Sequence, residues 1–87
     1  IDLAVVRNYL RQLPGVREVH DLHVWGMSTT ETALTAHLVM DSGHPGDDFL
    51  RRGAGELEAE FRIGHPTLQI ELADGVGSCR FAPGDVV

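Results

Sequence analysis

Apolar and polar residues alternate between Leu34 and Met40, and this short segment limits how the whole chain can be arranged. Leu34, Ala36, Leu38 and Met40 occupy every second position, which is the spacing of a strand with one buried face. Successive side chains of a strand point to opposite faces of the sheet. We therefore predict that His37 points away from the core.

The predicted elements follow one another as helix, strand, strand, helix and strand. Apolar residues three and four apart predict one helix within residues 2–13 and a second that reaches Phe61, with Asp47 or Asp48 as its N-cap. Alternating residues predict strands at residues 16–25, 34–40 and 67–72. Each helix has one apolar stripe, so we predict an α+β fold with both helices packed on one face of a three-stranded sheet. This αββαβ arrangement is similar to a ferredoxin-like metallochaperone fold that lacks one strand.

The two ends of the chain indicate a single domain cut from a longer protein. Residues 1–73 hold all predicted elements, whereas residues 74–87 have no apolar period and are predicted to form a flexible C-terminal tail. The chain starts at Ile1 without the pattern of a signal peptide. No run approaches the roughly 18 apolar residues of a membrane-spanning helix. We therefore expect a soluble segment.

The charge of the chain excludes some classes of partner. Thirteen acidic residues against seven basic ones give a net charge of -6, which argues against nucleic acid or an anionic membrane as a partner. A negative field attracts cations. Cys79 is the single cysteine, so an internal disulfide cannot form and a reduced, cytoplasmic setting is expected.

Two registers of the first strand pair compete. A two-residue loop sets His20 opposite His37, whereas a three-residue loop sets Asp21 opposite His37 and pairs Leu22 and Val24 with core residues. Hydrophobic pairing favours the second register. In that register His20 reaches the uncovered face of the sheet only at a strand end or a bulge.

The uncovered face of the sheet is a candidate metal site. Histidine, carboxylate and thiolate side chains are the ordinary zinc ligands, and a site needs three or four of them. No local spacing matches a zinc finger or a His-Glu-x-x-His helix. The candidate ligands are His20, His37 and Glu71, with Asp21, His23, His65 and Cys79 as lesser candidates.

The spacing of these residues also leaves simpler interpretations open, and by itself it favours them. The histidines are then exposed or hydrogen-bonded side chains without a metal. His23 is better explained as an anchor of the sheet through a ring hydrogen bond, while both readings of His65 stay open. Cys79 lies in the predicted tail, where a free thiol can bind a soft metal but more often binds none.

A longer part of the chain resembles a known family. The resemblance rests on the segment LPGVREVHDLHVWGMSTTETALTAHLVM and, after the second predicted helix, on FRIGHPTLQIE. Over residues 3–72 these segments resemble, in order, the cytoplasmic C-terminal domain of cation diffusion facilitator metal transporters. The resemblance implies a homodimer of membrane-embedded exporters that exchange divalent cations such as zinc for protons. This domain would lie in the cytoplasm, attached to a transmembrane transporter domain that is absent from the chain.

The resemblance also implies a set of metal ligands near the dimer interface. The positions that contribute in the family correspond here to His20, His37 and Glu71. Positions that take part in some members correspond to His65 and, loosely, to Cys79. The chain departs from the common pattern because it has one tail cysteine rather than a pair.

We therefore expect a regulatory domain, not an enzyme, that binds Zn²⁺ or another divalent ion such as cadmium, cobalt, nickel or manganese. Metal binding and dimerisation would control transport. The resemblance favours His20 over His23 as a ligand and so predicts an irregular start to the first strand. One alternative is a dimerisation module that needs no metal. A weaker one is a small metal-dependent hydrolase, although no Gly-x-Ser-x-Gly motif is present.

Overall fold

The computed structural model describes residues 1–73 and places five elements of secondary structure there. In chain order they are α1 (Leu3–Arg11), β1 (Val16–Gly26), β2 (Thr32–Met40), α2 (Asp47–Phe61) and β3 (His65–Leu72). The predicted order of elements is confirmed. Neither helix has the length and apolar content needed to cross a membrane. The predicted tail at residues 74–87, with Cys79, lies outside the described residues.

β2 lies in the middle of the sheet. β1 pairs with it in antiparallel orientation on one side, and β3 pairs with it in parallel orientation on the other. Parallel neighbours need a crossover connection, and α2 provides it between β2 and β3. Within residues 1–73, the outer edges of β1 and β3 have no neighbouring strand.

Polar groups and a glycine fix where the helices begin. The Asp2 carboxylate accepts a hydrogen bond from the amide of Ala4 at 2.9 Å and caps α1. The prediction that Asp47 or Asp48 caps α2 is wrong, because Gly46 is the N-cap and its φ of 96° favours glycine. Both aspartates lie instead in the first turn, where the helix dipole favours negative charge.

The hydrophobic core lies between the two helices and one face of the sheet. Val6 and Leu10 of α1 and Leu57 of α2 are fully buried. They form one cluster with Leu34 and Leu38 of β2. Both helices therefore cover the same face of the sheet, and the predicted α+β architecture is confirmed.

The opposite face of the sheet has neither helix on it. By strand alternation this face carries His37 and Val39 of β2, and Gln69 and Glu71 of β3. We call it the open face.

β1 uses both of the registers that the sequence leaves open. Near the hairpin it follows the three-residue-loop register, in which Val24 pairs with Leu34. Further from the hairpin the pairing is shifted by one residue, so that His20 pairs with His37. The register near the hairpin aligns apolar residues of the two strands, and the register further away aligns the two histidines.

The register changes at a β-bulge. Asp21 and Leu22 of β1 together lie opposite the single residue Ala36 of β2. Asp21 has a φ of 55°, a left-handed conformation that aspartate adopts more readily than most residues. The bulge lets Leu22 join the core while His20 stays on the open face. The predicted irregular start of the first strand is present as a register shift between Val16 and Glu18, and the bulge at Asp21 is a second irregularity nearer the middle of β1.

Candidate metal centre

Three side chains from three strands meet on the open face. Glu71 Oε1 lies 2.8 Å from His20 Nε2, and Glu71 Oε2 lies 2.5 Å from His37 Nδ1. One donor atom from each of the three residues lies within 4.8 Å of the other two. Three of the predicted metal ligands are thus brought together by the fold.

The register of β2 and β3 explains why Glu71 reaches His37. In this parallel pair His37 aligns with Gln69, and Val39 aligns with Glu71. Glu71 is therefore the diagonal neighbour of His37 on the same face, at a spacing of roughly 7–8 Å that long side chains can bridge. A carboxylate at position 69 would lie directly beside the imidazole, whereas at position 71 it has room to approach both histidines.

Burial and hydrogen bonding act on Glu71 in opposite directions. Partial burial is the largest influence and by itself raises the pKa of the Glu71 carboxyl group. Hydrogen bonds from His20 and His37 and the charges of the two rings outweigh it together, so the pKa of Glu71 is lowered overall. Glu71 is therefore an anion at neutral pH.

Asp21 and His23 adjoin this group without joining it. Asp21 Oδ1 lies 2.8 Å from His23 Nε2, and Asp21 Oδ2 lies 3.4 Å from His37 Nε2. The hydrogen bond from His23 is the main cause that lowers the pKa of Asp21, against a smaller opposing effect of desolvation. His23 therefore makes a ring hydrogen bond, as one of the two sequence-based interpretations proposed, and its partner is the bulge residue.

His65 lies at the other end of β3 from Glu71. It aligns with Ala33 and lies six positions before Glu71, which corresponds to about 20 Å along a strand. Its Nε2 lies 3.7 Å from Glu31 Oε2. The fold does not bring His65 to His20, His37 or Glu71. Its acidic neighbour Glu31 was missed, because only the pairing of β2 with β3 places the two residues together.

The donor chemistry of His20, His37 and Glu71 fits a divalent metal ion. Imidazole nitrogen and carboxylate oxygen bind zinc at about 2.0–2.2 Å, which places the donors of a tetrahedral site about 3.4 Å apart. The histidine–glutamate contacts of 2.5 and 2.8 Å lie below this spacing, and with one donor atom taken from each residue no pair exceeds 4.8 Å. The donor spacing in this group is therefore close to that of a zinc site.

The model of one protein family matches residues 1–73. The family is described as the cytoplasmic domain of cation efflux proteins. The match includes every described strand and helix and all three side chains of the candidate metal centre.

Two curated relatives show the extent of the similarity. The metal cation efflux system protein CzcD of Cupriavidus metallidurans is 38% identical over 74 residues, which are 84% of this chain and 23% of CzcD. The vacuolar zinc transporter TgZnT of Toxoplasma gondii is 33% identical over 79 residues, which are 91% of this chain and 9% of TgZnT. The chain thus spans less than a quarter of the length of either relative.

A solved structure has the same architecture. The metal-bound C-terminal domain of the CzcD transporter superimposes with a TM-score of 0.72 at 34% sequence identity. The superposition covers 83% of this chain and 100% of that domain. The likeness to a metal-bound domain agrees with the arrangement of two helices and three strands described above.

Proposed function

Because the chain belongs to the family of cytoplasmic domains of cation efflux proteins, we propose that it binds a divalent cation at His20, His37 and Glu71 and regulates an attached exporter. In this proposal the chain acts as a homodimer and takes part in no catalytic step. The observation that carries it is the meeting of two imidazoles and a carboxylate, one from each strand, on the open face.

Zinc is the cation that we propose first. Two nitrogen donors and one oxygen donor suit four-coordinate zinc, and they leave a fourth position for water or another donor. Cadmium, cobalt, nickel and manganese accept similar ligands, so competition between ions decides the preference. TgZnT is described as a zinc transporter and CzcD as a metal cation efflux protein, and both descriptions support a divalent transition metal ion as the ligand.

The charge of the site supports a cation. Glu71 carries a negative charge between two imidazole rings, and Asp21 places a second carboxylate beside one of them. The net charge of -6 adds a negative field around the whole chain. A divalent ion would neutralise carboxylates that otherwise repel one another.

Exposed apolar side chains support the proposed homodimer, as do the outer strand edges that have no neighbouring strand within residues 1–73. Trp25, Met27 and Leu72 are 47%, 54% and 40% exposed. Exposed apolar surface and unpaired edges are features that partner chains commonly cover. A domain of this size also has a small core, which a partner can supplement.

Regulation would follow from linkage between cation binding and the arrangement of the dimer. An ion at 100 times its dissociation constant stabilises the form that binds it by about 2.7 kcal/mol. Moving a two-state equilibrium from 1:99 to 99:1 needs a differential affinity of about 10⁴. One site per protomer would therefore bias the dimer without switching it completely.

The metal site is tested by isothermal titration with zinc. We expect the 87-residue chain to bind zinc and the variants His37→Ala and Glu71→Ala to lose that binding. Gln69→Ala is the matched control, because Gln69 is exposed on the same face of the same strand two residues before Glu71. If His37→Ala and Glu71→Ala both bound zinc as tightly as the wild type, the proposal would be wrong.

The dimer is tested by spin labelling. A cysteine at exposed Ala59 on α2, in a chain with Cys79→Ser, carries the label, and distances between protomers are measured with and without zinc. We expect the distance distribution to shift on zinc binding, and not to shift in the Glu71→Ala variant. A dimerisation module that needs no metal would instead show the same distances under all conditions.

A further inference from the structure

Asp21 is the extra residue of β1. Without it, the His20–His37 pair and the position of Leu22 opposite Ala36 would follow each other in an unbroken ladder. Asp21 is therefore not needed to align β1 with β2, either for the histidine or for the apolar residues. Its role has to be found in its side chain.

The carboxylate of Asp21 contacts two histidines. Oδ1 lies 2.8 Å from Nε2 of His23, and Oδ2 lies 3.4 Å from Nε2 of His37. The other ring nitrogen of His37, Nδ1, faces Glu71. The imidazole of His37 thus lies between two carboxylates, with one at each ring nitrogen.

The two nitrogens of such a ring have different tasks when it binds a metal ion. A neutral imidazole offers a lone pair from one nitrogen and carries a proton on the other. An acceptor beside the protonated nitrogen fixes the tautomer and the orientation of the ring. In His37 the nitrogen on the side of Glu71 is Nδ1, which donates to that carboxylate in the metal-free chain. With a cation held there, Nδ1 would give up its proton to bind the ion, and Nε2 would carry the remaining proton.

We propose that Asp21 is a positioning residue, whose carboxylate accepts the Nε2 proton of His37 and so presents Nδ1 of that ring to the cation. The inference rests on the proposed function, since it requires a cation between His20, His37 and Glu71. It also assigns Asp21 a different task from the ligand role considered for it in the sequence. The hydrogen bond from His23 holds Oδ1, which leaves Oδ2 directed at His37.

The contact between Asp21 Oδ2 and His37 Nε2 is longer than a hydrogen bond. At 3.4 Å it is a close polar contact rather than a formed hydrogen bond, which has a usual length of about 2.9 Å. Catalytic and binding-site hydrogen bonds are often long in the absence of the ligand and tighten when it is bound. The zinc-loaded chain is therefore expected to have a shorter Asp21–His37 contact.

The backbone conformation of Asp21 determines which variants are informative. Asparagine accepts a positive φ as aspartate does, so Asp21→Asn removes the charge and keeps the bulge. Asp21→Ala removes the acceptor, at the cost of strain in the left-handed conformation. Deletion of Asp21 removes acceptor and bulge together while leaving the other pairs in register. Gln69→Ala again serves as the control.

The first measurement is zinc affinity by isothermal titration. Loss of an outer partner of a metal-bound histidine typically lowers affinity 10- to 100-fold. We expect about a tenfold loss for Asp21→Asn, and a larger loss, up to about 100-fold, for Asp21→Ala and for the deletion. Circular dichroism of the metal-free variants shows whether each is folded, and Asp21→Asn decides the question if the other two are not.

The second measurement reads His37 directly. Long-range ¹H–¹⁵N spectra of the zinc-loaded chain identify the ring nitrogen that holds zinc and the one that carries a proton. We expect zinc on Nδ1 and an Nε2 proton that exchanges slowly with water in the wild type. In Asp21→Asn that proton should exchange faster, an effect that a purely structural residue would not produce.

The outcomes separate the two proposals. If the wild type binds zinc through His37 and Glu71, but Asp21→Asn has unchanged affinity and unchanged proton exchange, the role of Asp21 is wrong and the metal site stands. Zinc found on Nε2 of His37, or on the Asp21 carboxylate itself, also overturns the positioning role. If the wild type binds no zinc, both proposals are wrong.

Discussion

His20 and His37 face each other across β1 and β2, with ring centroids 4.9 Å apart and ring planes inclined by 56°. The register of the hairpin would have placed Asp21 opposite His37, and the bulge moves His20 into that position instead. Glu71 then approaches both rings from the strand on the other side of β2. The candidate metal centre is therefore a product of strand register rather than of a local sequence motif.

Zinc is predicted to raise the thermal stability of the chain. At 100 times the dissociation constant the expected gain is about 2.7 kcal/mol, or about 10–20 °C in Tm for a domain of this size. Differential scanning calorimetry with zinc, followed by a chelator, measures the gain and its reversal. The Glu71→Ala variant should show no zinc-dependent shift, and an equal shift in both proteins would contradict binding at this residue.

The Glu71 carboxylate is predicted to make stability depend on pH in the acid range. Its pKa in the folded chain is lowered, so ionised Glu71 contributes stability above its unfolded-state pKa of about 4.3. This contribution is lost as the pH falls through the lower folded-state pKa. Urea unfolding in the presence of a chelator should therefore show a stability difference between wild type and Glu71→Gln that is present at neutral pH and shrinks in acid. A difference that does not change with pH would contradict the lowered pKa.

Tyr9 is predicted to resist ionisation at alkaline pH. Burial is the main cause that raises its pKa, and its hydrogen bond to the Glu56 carboxylate and the charges of Glu56 and Glu60 add to the effect. Tyr9 is the single tyrosine, so tyrosinate absorbance reports on it alone. We expect no tyrosinate near the ordinary pKa of about 10 while the chain is folded, and a lower pKa in Glu56→Gln.

Because the pKa of Tyr9 is raised in the folded chain, the free energy of unfolding is predicted to decrease at alkaline pH. The unfolded chain ionises Tyr9 at about pH 10, so the stability that neutral Tyr9 contributes is complete below that value and declines above it. Unfolding free energies of wild type and Tyr9→Phe measured through this range should converge as the pH rises. Titration of Tyr9 at its ordinary pKa in the folded chain would contradict the structure.

Two glycines are predicted to respond oppositely to alanine. Gly55 is exposed within α2 and a Cβ there would meet nothing within 4 Å, so Gly55→Ala should stabilise the chain by about 0.5–1 kcal/mol. Gly15 has a φ of 85°, and a Cβ there would lie 3.2 Å from Cε of Met40. Gly15→Ala should therefore destabilise the chain by about 1 kcal/mol or more. Urea unfolding checks both variants, and equal signs would contradict the backbone conformations.

Most of the fold could be predicted from the sequence, because each element carries its own period. The alternation of Leu34, Ala36 and Leu38 gave the central strand and its buried face, and helical spacing gave both helices. The position of α2 agrees with the prediction, but its N-cap is a glycine with a positive φ rather than an aspartate side chain. The resemblance to a metal transporter domain is confirmed by the family match over residues 1–73.

The candidate site was less predictable, because it depends on how strands align. Alternation placed His37 and Glu71 on one face, but the position of His20 required a bulge whose place in β1 no apolar pattern marks. Hydrophobic pairing and the resemblance each pointed to a different register, and both occur because the bulge takes up the extra residue Asp21. The contact of Asp21 with His37 was not predictable from spacing, since it depends on the left-handed backbone at Asp21. Metal binding by these residues remains a prediction.

The order of the three donors along the chain governs when an ion can first be captured. His20 and Glu71 are 51 positions apart, and His37 is 34 positions before Glu71. In a polypeptide growing on the ribosome, both imidazoles are synthesised before the carboxylate. The carboxylate of Glu71 joins them only after α2 has formed the connection and β3 has paired with β2. A newly made chain would therefore acquire this three-donor grip on a metal ion only after the sheet is complete.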